Sequence, residues 1–191
     1  MNASLSHISL EVSVILLGLF LLLVEFVVPA ERRKFVGYAG IAALGGLLLF
    51  SLAGLGSCAV DGQAFGGAFV NDGLALFFKR LFIVAAILVL FIAAEFSDRF
   101  APGSVTEYYS LIIFALSGML FAASSNDFAM LFVSIELITI TFYILVSFQR
   151  SKLASLEAGV KYLILGALSS AFMIFGIALI WGTTGELNFT K

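Results

Sequence analysis

DFAMLFVSIELITITFYILVSFQR, residues 127–150, runs from Asp127 to Arg150 with a single charge between them, Glu136. About 20 helical residues at 1.5 Å each cross the ~30 Å hydrocarbon of a bilayer, so the run predicts a transmembrane helix over 127–148. Polar and apolar residues do not alternate two by two here, as they would in an outer-membrane barrel strand. A carboxylate near the midpoint of such a helix costs roughly 2.5–3.5 kcal/mol on insertion scales, so it faces a partner or a water-filled cavity. Thr139 and Tyr143, at i+3 and i+7, share the face of Glu136 and extend it into a short polar stripe. The competing reading is a protonated glutamate that only holds two helices together. Serine or threonine would do that at lower cost.

The rest of the chain has the same character. Of 191 residues, 62% are hydrophobic and 12% charged, too little polar surface to cover a globule in water. Gaps between charges predict six transmembrane helices, roughly 8–28, 36–56, 77–96, 105–124, 127–148 and 158–181, an all-α integral membrane protein. The first run is too long for a signal peptide and lacks a small-residue cleavage site, so it is expected to be retained. Pro29 follows the first helix, and Pro102–Gly103 precede the fourth, which Ser104 and Glu107 are expected to open as a capping box. Ser124 to Asp127 offer caps to the fifth. Residues 1–104 thus form one group of three helices and residues 105–191 a second. A net charge of −2 without a basic stripe argues against nucleic acid, and the lone Cys58 excludes an internal disulfide and any site built from cysteines.

Positive charge sets orientation. Arg32, Arg33, Lys34, Arg99, Arg150 and Lys152 fall in the odd-numbered connections, against Lys79, Arg80 and Lys191 on the other side. The odd connections are therefore expected in the cytoplasm and both termini outside.

Lys161 is the second candidate, about one turn inside the sixth helix. Glu157 lies four residues before it in the favourable order, and a lysine this near the edge can snorkel. If the fifth and sixth helices pack face to face, moving that cation would release or recruit a proton at Glu136. Glu11, Glu25 and Glu95 lie near helix ends and are expected to reach headgroups or water. Asp72 and Lys79, two turns apart, suggest a structural pair. Glycines in the second and sixth helices, with the small run Ala167 to Ala171 in the sixth, indicate close helix packing.

EYYSLIIFALSGMLFAASSNDFAMLFVSIELITITFYILVSFQR (107–150) and SLEAGVKYLILGALSSAFMIFGIALIWGTTGELN (155–188) resemble subunit N of NADH-quinone oxidoreductase, respiratory complex I. LEVSVILLGLFLLLVEFVVPAERRK (10–34) and NDGLALFFKRLFIVAAILVLF (71–91) are similar to its first three helices. The resemblance implies an antiporter-like fold of fourteen helices, of which this chain holds the N-terminal six: three flanking helices and the first three of a five-helix repeat. It implies that Glu136 is the glutamate of a proton half-channel and Lys161 the lysine of the sixth helix placed near it, both serving proton translocation driven by quinone reduction elsewhere. It further implies that NADH, FMN, iron–sulfur clusters and quinone are handled by partner subunits, with no cofactor in this chain, and that the partners include whatever supplies helices seven to fourteen. A bacterial inner membrane is the expected location. Two alternatives stay open: a subunit of a multisubunit cation/proton antiporter or membrane-bound hydrogenase, and a truncated structural fragment that does not pump.

Overall fold

A computed structural model describes residues 7–29, 33–54, 62–97 and 104–190. Its helices are α1 (Ser9–Val24), α2 (Arg33–Leu52), α3 (Gly73–Glu95), α4 (Val105–Ala123), α5 (Phe128–Val146) and α6 (Leu153–Thr184), with a two-stranded antiparallel hairpin, β1 (Gly62–Ala64) and β2 (Phe69–Asn71), between α2 and α3. Five of the helices, α2 to α6, are long and apolar enough to cross a membrane. α1 is the exception. It was expected over 8–28 but stops at Val24, and its 16 residues rise only about 24 Å. Glu25 to Val28 continue as hydrogen-bonded turns, Phe26 N–H to the Leu23 carbonyl and Val28 N–H to the Val24 carbonyl, ahead of Pro29.

Local chemistry explains the other boundaries. α3 starts four residues before the expected 77 because the Asp72 carboxylate caps it, accepting from the Ala75 N–H at 2.7 Å. Asp127 caps α5 as the sequence suggested, accepting from Ala129 N–H at 2.8 Å. Ser104 stands at the N-cap position of α4 but makes no side-chain capping bond, so the capping box is not formed. α6 was expected to start at 158 and starts at Leu153, because Glu157 and Lys161 pair one turn apart on its exposed face and carry the helix past the apolar run. It ends where Gly185 takes φ 72° and returns its N–H to the Trp181 carbonyl. Arg32, Cys58, Asp61, Arg99, Pro102, Gly103 and Lys191 lie outside the described residues.

α4 is the centre of the bundle. Tyr109, Ile113, Leu116 and Leu120 are buried on it, and it packs against α1, α3 and α5. α6 is the periphery: it packs on α5, and none of its apolar window is buried within the chain. At the α4–α5 crossing a Cβ on Gly118 would stand 2.7 Å from Ile138 Cγ1 and 3.0 Å from the Ser134 carbonyl, so the two backbones meet there. Gly118→Leu is expected to force α4 and α5 apart at a cost of about 3 kcal/mol, read as a lower melting temperature in detergent. An unchanged melt would mean that the helices can separate freely.

The hairpin was not foreseen as strand. Gly66 and Gly67, at φ 68° and 94°, let the chain reverse in a left-handed turn between β1 and β2. Val70 N–H bonds the Ser124 carbonyl and Asn126 N–H bonds that of Ala68, both at 2.8 Å. Phe128 N–H bonds the Leu187 carbonyl at 3.0 Å. The start of α3, the α4–α5 turn and the end of α6 therefore gather at one end of the bundle, as antiparallel neighbours joined by short connections require.

Candidate functional site

α5 and α6 run antiparallel around a cleft of about 540 Å³ whose lining includes Glu136, Tyr143, Ser147, Gly159 and Leu163. Close approach at the Ser147 end requires a residue without a side chain: a Cβ on Gly159 would stand 2.4 Å from that of Ser147. At the far end the Ser170 hydroxyl donates to Glu136 Oε1. Glu136 is half-buried at the middle of α5. Tyr143 packs its ring against Tyr162 of α6, 5.1 Å between centroids, edge to face. Its hydroxyl is buried against Gly166 without a hydrogen-bond partner among the described residues.

Of the stripe read from the sequence, Glu136 and Tyr143 line the cleft together. Thr139 does not; its hydroxyl donates to the Glu136 backbone carbonyl at 3.1 Å and is spent within its own helix. Lys161 is exposed and ion-paired with Glu157 on α6. Lys161 and Ser170 are nine residues apart, about 13 Å along the helix axis, and Lys161 does not line the cleft, so the glutamate and the lysine do not form a pair. Across 13 Å two unit charges interact by only about 1.3 kcal/mol at an effective dielectric of 20. Lys161→Ala is expected to remove an exposed i,i+4 pair worth about 0.5 kcal/mol and leave the melting temperature unchanged. A drop in proton translocation with an unchanged melt assigns Lys161 to the path, and an unchanged rate assigns it to the surface.

Ser170 was missed. It sits in a run read as small residues for packing, and only the register set by Gly159 on Ser147 brings it opposite Glu136. A hydrogen bond to a carboxylate is worth ~1.5–3 kcal/mol. Ser170→Ala is therefore expected to slow proton translocation about tenfold with assembly intact; equal rates would remove Ser170 from the site.

A second ionic site lies at the hairpin end. Glu11 does not reach headgroups or water as expected but is buried, 2.6 Å from Lys79 Nζ, with side-chain exposures of 0% and 2%. Lys79 also donates to Asn71 Oδ1 at 2.9 Å and stands 5.0 Å over the Phe69 ring. Asp72, the partner expected for Lys79, is occupied in capping α3. Arg80 turns instead to α2, donating to the Ser51 carbonyl at 2.7 Å. At the opposite end Glu95 accepts from the Tyr38 hydroxyl at 2.7 Å.

Helices of this length and apolarity, with a carboxylate opening onto a cleft between two of them, define a multi-pass membrane protein with an ionisable intramembrane site. Comparison with known proteins narrows this. A family model described as NADH:quinone oxidoreductase/Mrp antiporter, TM, matches residues 125–191, which hold α5 and α6. NADH-quinone oxidoreductase subunit N of Chloroflexus aggregans is 42% identical over 87% of this chain and 33% of its own length. The subunit N of Heliobacterium modesticaldum is 39% identical over 97% of this chain and 38% of its own. A chain of respiratory complex I from Thermus thermophilus superposes with a TM-score of 0.70 at 29% identity, covering 94% of this chain and 38% of that one. A chain of an archaeal membrane-bound sulfane sulfur reductase gives 0.72 at 22% identity, a likeness of fold. The chain thus matches, over nearly its whole length, part of an antiporter-like subunit N, as its sequence resemblance implied. It spans little more than a third of the length of the relatives it matches.

Proposed function

We propose that this chain serves as a membrane-arm component of a proton-translocating NADH-quinone oxidoreductase and contributes part of a proton half-channel. The observation that carries the reading is Glu136: a carboxylate midway along a helix of membrane-spanning length, held by Ser170 and opening onto the α5–α6 cleft. In this reading Glu136 accepts and gives up the translocated proton, and Lys161, on the exposed face of α6 beside Glu157, is the cation whose movement shifts that equilibrium. The redox chemistry belongs to partner subunits that hold NADH, FMN, iron–sulfur clusters and quinone. α6 presents its unburied apolar face to lipid and to whatever chain supplies the remaining helices. The excess of Lys and Arg in the odd connections supports the α5–α6 turn on the cytoplasmic side and the hairpin, with both termini, outside. The three helices before residue 104 flank the first three of the repeat.

The sulfane sulfur reductase likeness supports a second reading, in which the same fold works in a different respiratory membrane complex. Co-purification in mild detergent separates the two. Recovery with NADH- and quinone-handling subunits supports the first, and recovery with other partners the second. Proton uptake by native membrane vesicles carrying Glu136→Gln tests the site itself, and full uptake would overturn its assignment.

A further inference from the structure

A hydroxyl inside a transmembrane helix has to find a partner, and on α5 all but one do so within the helix. Ser134 donates to the Met130 carbonyl at 2.7 Å, Thr139 to that of Glu136 at 3.1 Å and Thr141 to that of Ile138 at 2.7 Å. Tyr143 is the exception: its hydroxyl is buried and bonds nothing among the described residues. A buried hydroxyl left unpaired costs stability, so its place in the fold needs a reason. That place is specific. Tyr162, Gly166 and Ser170 follow one another at four-residue spacing on one face of α6, and the phenol lies over the middle one. Its ring meets that of Tyr162 edge to face, and a Cβ on Gly166 would collide with its oxygen. Ser170, one turn further, donates to Glu136 Oε1. Four residues of α6 rise about 6 Å, so the idle hydroxyl stands about that far from the carboxylate. A helical side chain leans toward the N-terminus of its helix, which for Tyr143 is the direction of Glu136.

We infer that the Tyr143 phenol is a positioning group of the Glu136 site: it stands off over Gly166 while the carboxyl is protonated and donates to Glu136 Oε2 when the carboxyl is ionised. This deepens the reading of Glu136 as the proton site and rests on it. An ionised carboxylate has about four acceptor sites, and Ser170 fills one of them, on Oε1. Among the hydroxyls of α5, that of Tyr143 alone is not already spent. Closing from about 6 Å to an ordinary O–H···O distance takes a movement of about 3 Å, and both groups line the same cleft of about 540 Å³. A donor to the charged form favours that form, so the phenol makes it easier for Glu136 to give up its proton in apolar surroundings. The other titratable groups that face α5 do not take this part. On α6, Glu157 and Lys161 pair with each other on the exposed face, and Tyr162 packs its ring on that of Tyr143. α4, the other helix packed on α5, meets it at Gly118. Its titratable residues, Glu107, Tyr108 and Tyr109, lie nine or more residues from that crossing, about 13 Å along the axis.

Dicyclohexylcarbodiimide, which reacts with protonated carboxyl groups in apolar surroundings, tests this on the assembled complex in its native membrane. Modification of Glu136 is followed by peptide mass spectrometry across a pH series, with Glu136→Gln as the blank. Tyr143→Phe keeps the ring against Tyr162 and removes only an unpaired hydroxyl, so the complex is expected to melt no lower than before. The pH at which Glu136 is half modified is expected to rise by about one unit, a tenfold change in proton concentration, because the ionised form has lost a donor. Thr139→Val removes a hydroxyl of the same helix that is spent on the backbone, and is expected to leave the profile in place. An unmoved profile in Tyr143→Phe overturns the inference, as does an equal shift in Thr139→Val. A shift that comes with a lower melting temperature also overturns it, since packing of the ring would then be the cause. The modification reads ionisation whether or not the proton is pumped. Full proton uptake with Glu136→Gln would therefore sink the half-channel and leave the shift standing, whereas lost uptake with an unmoved profile would sink Tyr143 alone.

Discussion

Glu136→Gln is expected to leave the chain assembled and to lower proton translocation about a hundredfold, the scale on which a positioned proton donor and acceptor contributes. Glutamine keeps the length and planarity of the side chain, and its carbonyl oxygen can still accept from the Ser170 hydroxyl, so the α5–α6 contact survives. What it loses is the ability to take and release a proton. Glu136→Asp supplies the control, because it keeps the acid and withdraws it by one methylene from Ser170. Partial activity in Asp with loss in Gln identifies proton exchange as the role. Equal loss in both, with lower complex content, points to packing. Proton uptake by inverted vesicles, normalised to assembled complex, gives the comparison, and full uptake in the glutamine variant would return Glu136 to a structural part.

The legibility of this site follows from what each of its residues has to overcome. Glu136 stands out in the sequence because a charge in a 20-residue apolar run is expensive, and expense is visible without coordinates. Ser170 is cheap at any position in a helix, and its meaning comes only from the register of α6 on α5, which a close approach of Gly159 to Ser147 sets. Thr139 illustrates the converse: sequence spacing placed it on the right face, but threonine can return its hydroxyl to its own helix, and does. Lys161 was read about one turn inside the sixth helix and stands eight residues past the start of α6; its distance from Glu136 is a property of the antiparallel pair. The bundle itself was legible because hydropathy marks membrane helices strongly. Its edges were not. The extent of α1, the early start of α6 and the hairpin depend on caps, exposed ion pairs and turns, each worth too little to leave a mark on composition. The hairpin was the largest omission, since strands of three residues with two glycines between them read as loop.

Glu11 and Lys79 were undervalued for a related reason: each lies near a helix end, where charges usually find water, and nothing local says that a hairpin covers them. Their burial makes a large and specific prediction. Lys79→Met is expected to destabilise the folded chain by about 3–5 kcal/mol, since it leaves the Glu11 carboxylate buried without a counter-charge. Glu11→Gln alone should also destabilise, by stranding the ammonium, although Asn71 and the Phe69 ring still attend it. Glu11→Gln combined with Lys79→Met removes both charges and should recover most of the loss, because an apolar replacement of a buried pair is often neutral. Arg80→Ala is the comparison one residue away. It gives up bonds to Ser51 at the end of α2 but strands no opposite charge, so its effect should be smaller. Thermal loss of the helical circular dichroism signal in detergent ranks the four variants, with the single lysine variant melting about 10 °C below the double. A double variant no more stable than the singles would show that the two charges are not coupled, and that the hairpin is held to α1 and α3 by its other contacts.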